Sequence, residues 1–398
     1  MISLQEALDI NFNLPKLTLD TQEIDIFEAQ GYILAQDIYI KRALPMFDNS
    51  AMDGYAINLA YKNPKVTRTI LAGQDASNIT LQDNEAIRIM TGAMLPKNAN
   101  AIAPFEITSL QDGILSIQKE LHQGANIRKK GEEKQEGMLL AKKGQVLDFR
   151  DIGLLASQGY NKICVYQKPL IGVFSSGDEI KEVGEDALSH QIYNINAPSI
   201  CAILKQYNHH YQYLGILKDN ESLEEKILTA SKKYQILITS GGASVGDADL
   251  LEKILLKHQA NIYYHKINLK PGKPIMVAKL NQCYFFCLPG NPLSAILNLL
   301  ALVIPTLQRL CNANAFYPLM LKAKCQEELN FKNNRSNIIL GNYHRGIFTP
   351  HKNGKYSPSA ISVFQECNSF AIFDEKFTQI HKNQEIDILL YMMSFTTK

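Results

Sequence analysis

The chain has 398 residues, too many for one compact core, so two to four domains are expected. Hydrophobic residues make up 46% and charged residues 20%, which fits a folded globular protein. A net charge of +2 and a pI of about 8.0 exclude a nucleic-acid binder held by a broad basic face.

In chain order, Met1-Ile2 carries no signal-peptide pattern, and the expected compartment is the cytoplasm. Ser3-Leu4-Gln5-Glu6 reads as a capping box opening a short helix. Ile24 to Ile40 alternates and predicts extended structure ending near Pro45, followed by a turn-rich, β-like stretch to about Gly137. Asp148 to Tyr160 predicts a capped helix stopped by Gly159, and Tyr166-Gln167-Lys168-Pro169 is the best linker candidate. After Pro169 strands and helices alternate. Strands are predicted at 170–174, 213–217 and 235–239, and helices at 198–207, 223–232 and 249–258, the rhythm of a doubly wound, mostly parallel sheet. In such sheets ligands sit outside the carboxyl ends of the strands. Three loops meet that rule: 175–179, 240–249 and 289–292.

The second of these loops is the most informative. The apolar run Ile236-Leu237-Ile238-Thr239 empties into Ser240-Gly241-Gly242-Ala243-Ser244-Val245-Gly246-Asp247-Ala248-Asp249. Glycines let backbone N–H groups turn toward an anion, and a helix N-terminus adds partial positive charge. Two acids beside a phosphate cradle point to a divalent metal. Farther on, no apolar run reaches the roughly 20 residues of a membrane span. The stretch 288–310 comes closest, but Asn291, Asn298 and prolines interrupt it. Beyond about Cys311 the pattern predicts a small β domain. The seven scattered cysteines predict reduced core thiols, with Cys283 and Cys287 as inward positions of one buried strand.

Seven motifs in order carry a resemblance over nearly the whole chain. They are 45–56 (Pro45-Met46-Phe47-Asp48-Asn49-Ser50-Ala51-Met52-Asp53-Gly54-Tyr55-Ala56), 88–93 (Arg88-Ile89-Met90-Thr91-Gly92-Ala93), Asn126-Ile127-Arg128 with Gly131-Glu132, and Ser176-Gly177-Asp178-Glu179. The series continues through Ser240-Gly241-Gly242 to Asp249, Lys270-Pro271-Gly272-Lys273-Pro274 and Leu288-Pro289-Gly290-Asn291-Pro292. The chain resembles the molybdopterin molybdotransferases, the MoeA proteins and the E domain of gephyrin. The resemblance implies a reaction in which adenylylated molybdopterin and molybdate give molybdenum cofactor and AMP. It implies a divalent metal, Mg²⁺ in the first instance, with Zn²⁺ or another divalent ion as alternatives. It also implies an elongated homodimer of four-domain subunits: domain I at 1–38 and 138–168, an inserted β-rich domain II at 39–137, an α/β domain III at 169–313 and a C-terminal β domain IV at 314–398. Each active site would lie between domain III of one subunit and domain II of the other. Molybdopterin adenylyltransferase and cofactor-accepting enzymes are the implied protein partners, with no nucleic acid and no membrane.

Site residues carry over motif by motif. The resemblance implies catalytic roles for Asp53, Glu179, Asp219, Asp249, Lys266 and Lys270, with Asp249, Asp219 and Glu179 as metal ligands. Substrate contacts are implied for Thr91, Arg128, Glu132, Ser176, Gly177, Asp178, Asn196, Ser240, Gly241, Gly242, Ser244, Gly246, Lys273, Pro289, Gly290, Asn291, Pro292 and Arg345, the last with Ser362 as a candidate oxyanion holder. Plainer readings stand beside these. Asp53 and Thr91-Gly92 can be turn residues, 128–133 can be a solvated charged loop, and lone lysines are usually solvated. The chain departs from the family pattern in three places: Asn194 stands for a common Asp, Asp247 for a common Glu, and Glu133 for a common Asp. A scaffold that binds peptides, as the gephyrin E domain does, and an adenylyltransferase remain the alternative functions.

Overall fold

The computed structural model describes residues 1–218, 220, 222–241, 248–331 and 334–391, with Ala248 and Asp249 described as backbone only. Two compact units are present. The first comprises Met1–Ala35, Gly144–Phe149 and Lys162–Lys398, and the second comprises Gln36–Lys143 and Arg150–Asn161.

The first unit is built around a six-stranded sheet. In spatial order its strands are His210–Leu217, Leu170–Ser176, Ile236–Ser240, Cys283–Leu288, Met276–Leu280 and Asn261–His265. The first four are mutually parallel and the last two are antiparallel to their neighbours. The chain leaves Leu170–Ser176 in one direction for His210–Leu217 and then crosses to Ile236–Ser240 on the other side, which creates a switch point at the first strand. The strand Cys283–Leu288 is buried at all six positions. Its alternation sends Tyr284, Phe286 and Leu288 into one core and Cys283, Phe285 and Cys287 into the other. The helices Asn196–Gln206 and Pro292–Asn298 cover the first face, and Ser222–Lys233 and Ala248–Lys257 cover the second. All seven cysteines are free; Cys283, Cys287, Cys311, Cys325 and Cys367 are buried, and Cys164 and Cys201 are half-buried.

The capping box forms as read: the Ser3 side chain accepts from the Glu6 N–H, and the Glu6 carboxylate accepts from the Ser3 N–H, opening the helix Leu4–Asn13. The last part of the unit closes five strands into a ring. Ser336–His344 pairs with Ile347–Pro350 and with Ser369–Phe373, and Leu321–Cys325 and Glu385–Leu390 complete the circuit. The second unit holds a six-stranded sheet ordered Ala101–Pro104, Gly54–Ile57, Glu85–Ile89, Lys65–Ile70, Ile114–Ile117 and Thr108–Gln111, with apolar cores on both faces.

Three expectations need correction. Ile24 to Ile40 is not one extended run: only Thr21–Asp25 and Ile38–Tyr39 are strands. Between them the Asp25 carboxylate caps the Phe27 N–H at 2.9 Å and starts a 3₁₀ turn at Ile26–Glu28. The expected linker 166–169 lies inside the first unit as a packed connection, with the Lys168 ammonium 3.7 Å from the centre of the Tyr32 ring. The stretch at 292–310 does form one helix long and apolar enough to cross a membrane by length and composition, and it is 89% buried within the protein. Asn298 does not interrupt it, because its Nδ2 finds the Gly272 carbonyl at 2.9 Å in the interior.

A strand buried on both faces makes its aromatic residues sensitive to truncation. Phe286→Ala is expected to lower the unfolding free energy by about 3–5 kcal/mol, measured by urea denaturation.

Candidate active site

Three parallel strands stop on one level. Ser175 pairs with Ser240, and Ser240 with Leu288, so Ser176, Gly241 and Pro289 leave the sheet side by side. A side chain cannot be placed at Gly241: its φ is +95°, and a Cβ would lie 2.2 Å from the Ser176 carbonyl oxygen. Gly290 stacks over it, where a Cβ would lie 3.6 Å from the Gly241 Cα. Outside these strand ends opens a cleft of about 580 Å³. Its lining includes Ser176, Gly177, Asp178, Glu179, Asn196, Gly241 and the turn 289–292, all foreseen from sequence.

From Asn194, which lines the cleft, a polar chain runs inward. The Ser175 hydroxyl donates to Asn194 Oδ1 at 2.7 Å, Asn194 Nδ2 donates to the Tyr213 hydroxyl at 2.8 Å, and that hydroxyl donates to Glu182 at 2.6 Å. Burial, reinforced by the Glu182 carboxylate, raises the Tyr213 pKa, so the phenol keeps its proton. The amide at 194 is thereby explained. Tyr213 has one proton, spent on Glu182, so the residue at 194 must donate to the phenol oxygen, and an aspartate there could only accept. Asn196 behaves differently. Its Nδ2 donates to the Gly290 carbonyl at 2.8 Å, while its buried Oδ1 has no partner among the described residues. The buried Ser240 hydroxyl at the neighbouring strand end is also unpartnered. Unpaired buried oxygens are rare and mark a place where a ligand or ion can bind.

The lysines sit on the loop that brings Pro274 to the cleft, but they are not among the cleft's lining residues. Lys266 lies at φ +69° with its N–H on the Ile275 carbonyl, and the Lys273 carbonyl accepts from Ile267. Lys270 and Lys273 are exposed. Arg345 lies at the tip of the hairpin Ser336–His344/Ile347–Pro350, away from the lining residues, and Ser362 lines a different groove with Phe364 and Tyr391. Asp219, Gly242, Ser244, Gly246 and Asp247 lie outside the described residues, as does the Asp249 side chain.

The remaining predicted residues belong to the second unit. There the backbone ties three motifs together: the Ser50 carbonyl accepts from Gly92, Ser50 donates to Ala93, and Ala51 donates to Asn126. Asp53 Oδ1 accepts from both the N–H and the hydroxyl of Thr91 at 2.7 Å, and these bonds hold its pKa below the ordinary value. Arg128 pairs with Glu132 at 3.2 Å and with Glu133. Such exposed pairs are worth about 0.2–1 kcal/mol, so an incoming oxyanion can compete for the guanidinium.

A cleft residue, Ser359, and a residue behind the cleft loop, Lys218, escaped the sequence reading. Ser359, from the β-rich C-terminal part, donates to Asn291 Oδ1 at 2.8 Å, and nothing local signals that contact. Lys218 holds the loop at Gly177, and its only signal is a charge directly after a strand end.

Residues 2–159 match the MoeA N-terminal region (domains I and II), and residues 172–309 match a family described as a probable molybdopterin binding domain. A molybdopterin molybdenumtransferase from Haemophilus influenzae is 31% identical over 98% of both chains. One from a Nostoc species is 31% identical over 98% of this chain and 94% of its own. The crystal structure of a MoeA protein from Pyrococcus horikoshii superposes with a TM-score of 0.79 at 28% identity, covering 99% of this chain and 100% of its own.

The Asn194 network sets a pH-dependent expectation. Asn194→Asp leaves one phenolic proton between two carboxylates and should cost about 1–3 kcal/mol of stability at pH 8. The introduced carboxyl would have a folded pKa above its unfolded one. The loss is therefore absent below the unfolded value and grows as pH rises through the folded one. Urea unfolding at pH 4, close to the unfolded aspartate value of about 3.9, and at pH 8 checks it, and a deficit equal at both pH values would contradict the network.

Proposed function

The chain belongs to the molybdopterin molybdenumtransferase family, and on that premise we propose that it converts adenylylated molybdopterin and molybdate into molybdenum cofactor and AMP. The observation that carries this reading is the strand-end cleft, where backbone at Ser176, Gly241 and Gly290 crowds together and carboxylates stand at the rim. Glycine-lined backbone with nearby N–H groups suits a phosphate, and about 580 Å³ suits a nucleotide-sized ligand. Water attacks the adenylyl phosphorus and breaks the phosphoanhydride, so that AMP carries the water oxygen and molybdopterin keeps its own phosphate; the two dithiolene thiols bond to molybdenum, and their protons leave with one molybdate oxygen as water.

The cleft offers hard oxygen donors: the Asp178 and Glu179 carboxylates and the unpartnered Asn196 Oδ1. Among the described residues no His or Cys lines it. That set fits Mg²⁺ better than Zn²⁺, which favours nitrogen and sulfur ligands. Among the described residues no three His, Cys, Asp or Glu side chains cluster, so we propose that Asp219 and Asp249 complete the set with Glu179. Bound Mg²⁺ would supply neutralisation of charge on the phosphate. The protein's own part is to hold the phosphate against loop N–H groups and to keep the lysines of the 266–273 loop in reach of an anion.

We also propose a cytoplasmic homodimer in which Asp53, Thr91, Arg128 and Glu132 of the second unit complete the site of the opposite subunit. Molybdopterin adenylyltransferase and cofactor-accepting enzymes are its proposed partners.

One experiment addresses both parts. AMP release should require molybdate and Mg²⁺ and no ATP. It should fall about 100-fold or more in either Glu179→Ala or Asp53→Ala, the scale for losing one preorganised polar group at a reacting centre. Exchanging subunits between the two inactive variants should restore part of the activity, because one site of the mixed dimer keeps both acids. ATP-dependent adenylylation of molybdopterin would overturn the reaction assignment. Silence after confirmed exchange would overturn the shared site.

A further inference from the structure

Lys218 stands immediately after the strand His210–Leu217, beside the switch point. Its ammonium donates to three carbonyls of one loop: Gly177 at 2.9 Å, Asp178 at 3.0 Å and Ile180 at 3.1 Å. All three donors of a lysine are thereby spent. Among the described residues no carboxylate lies within ion-pair distance of it. The one carbonyl of that stretch left over, Glu179, accepts from the Ile192 N–H at 3.0 Å. Every carbonyl from Gly177 to Ile180 is therefore fixed, three of them on a single point.

Carbonyl dipoles converging on one point repel one another unless a cation holds them. With the carbonyls turned toward Lys218, the exposed Asp178 and Glu179 side chains are left at the cleft. The loop's own N–H groups make long bonds, Gly177 to the Leu217 carbonyl at 3.3 Å and Ile180 to the Gly177 carbonyl at 3.4 Å. Gly177 lies at φ +150°, a backbone conformation that L side chains rarely adopt. The flanking strands Ile180–Lys181 and Ile192–Tyr193 are only two residues long.

We infer that Lys218 is a positioning residue: it aims the Asp178 and Glu179 carboxylates by gathering the carbonyls behind them, and it does not itself bind substrate. This rests on the reading of the cleft as the site of AMP release. A substrate-binding lysine would leave its ammonium free for the anion, whereas this one is fully engaged within the chain.

The test compares Lys218→Met, which keeps length and loses the donors, with Lys218→Arg, which keeps charge and donors. Amide hydrogen exchange across residues 177–182 should rise about tenfold or more in the Met variant, the scale of one charge-assisted hydrogen bond, while exchange in 283–288 stays unchanged. In the same variant kcat for AMP release should fall about tenfold or more, with KM for molybdate within about twofold. Lys218→Arg should recover most of both. Unchanged exchange in Lys218→Met, or an Arg variant no better than Met, overturns the inference. A raised KM at constant kcat overturns it in favour of direct binding. If the Met variant does not fold, Lys218→Gln takes its place in the same comparison. The exchange measurement needs no turnover. Absence of AMP release in the unaltered protein would count against the reaction, and the exchange result would still decide the role of Lys218.

Discussion

The site depends on one close approach. At the ends of three parallel strands the backbone at Gly241 comes so near the Ser176 carbonyl that no side chain fits between them. The approach requires strands in register, which requires a sheet packed on both faces. The strand Cys283–Leu288 supplies that condition, with all six side chains in two cores. Large apolar side chains in the middle of the sheet and absent side chains at its rim are two parts of one arrangement. The first fixes the strands, and the second lets their loops present bare backbone to a ligand.

Polar groups then hold what the apolar core cannot reach. Asn298 lies in the most apolar helix of the chain and ties down Gly272 in the lysine loop from within the core. Lys218 gathers three carbonyls of the acidic loop. Asn194 links Ser175 to Tyr213 and, through it, to Glu182. In the Lys218 and Asn194 contacts donors and acceptors are matched, which is the condition for a buried polar group to stabilise rather than destabilise, whereas Asn298 is satisfied at Nδ2 and its buried Oδ1 has no partner among the described residues. Among the buried atoms without partners in the described residues, Asn196 Oδ1 and Ser240 Oγ lie at the cleft or at the strand end beside it.

Much of this was legible in the sequence, for physical reasons that differ by region. Strands buried on both faces read as continuous apolar runs, so Leu170–Ser176 and Ile236–Ser240 were visible, and the loops after them followed from the rule about strand ends. Ile24 to Ile40 misled because alternation survives a 3₁₀ turn that one Asp25 cap is enough to start. Asn298 looked like an interruption because its partner, Gly272, is 26 residues away and invisible to any local pattern. Ser359 meets Asn291 across 68 residues and was equally hidden. The amide at 194 read as a lost carboxylate, and only Tyr213 and Glu182 show that the position needs a donor. Motif resemblance gathered Asp53, Thr91 and Arg128 with the cleft residues, although it could not show that Asp53 already holds the turn at Thr91.

The central claim is that the strand-end cleft of the first unit takes the adenylyl group. Its most direct measurement is a crystal structure of the protein soaked with AMP and molybdate. The account predicts the AMP phosphate against the backbone at Gly241 and Gly290, between the Ser176–Glu179 loop and Asn291. A nucleotide seated elsewhere, for example in the groove lined by Phe364 and Tyr391, with the cleft empty, would contradict it.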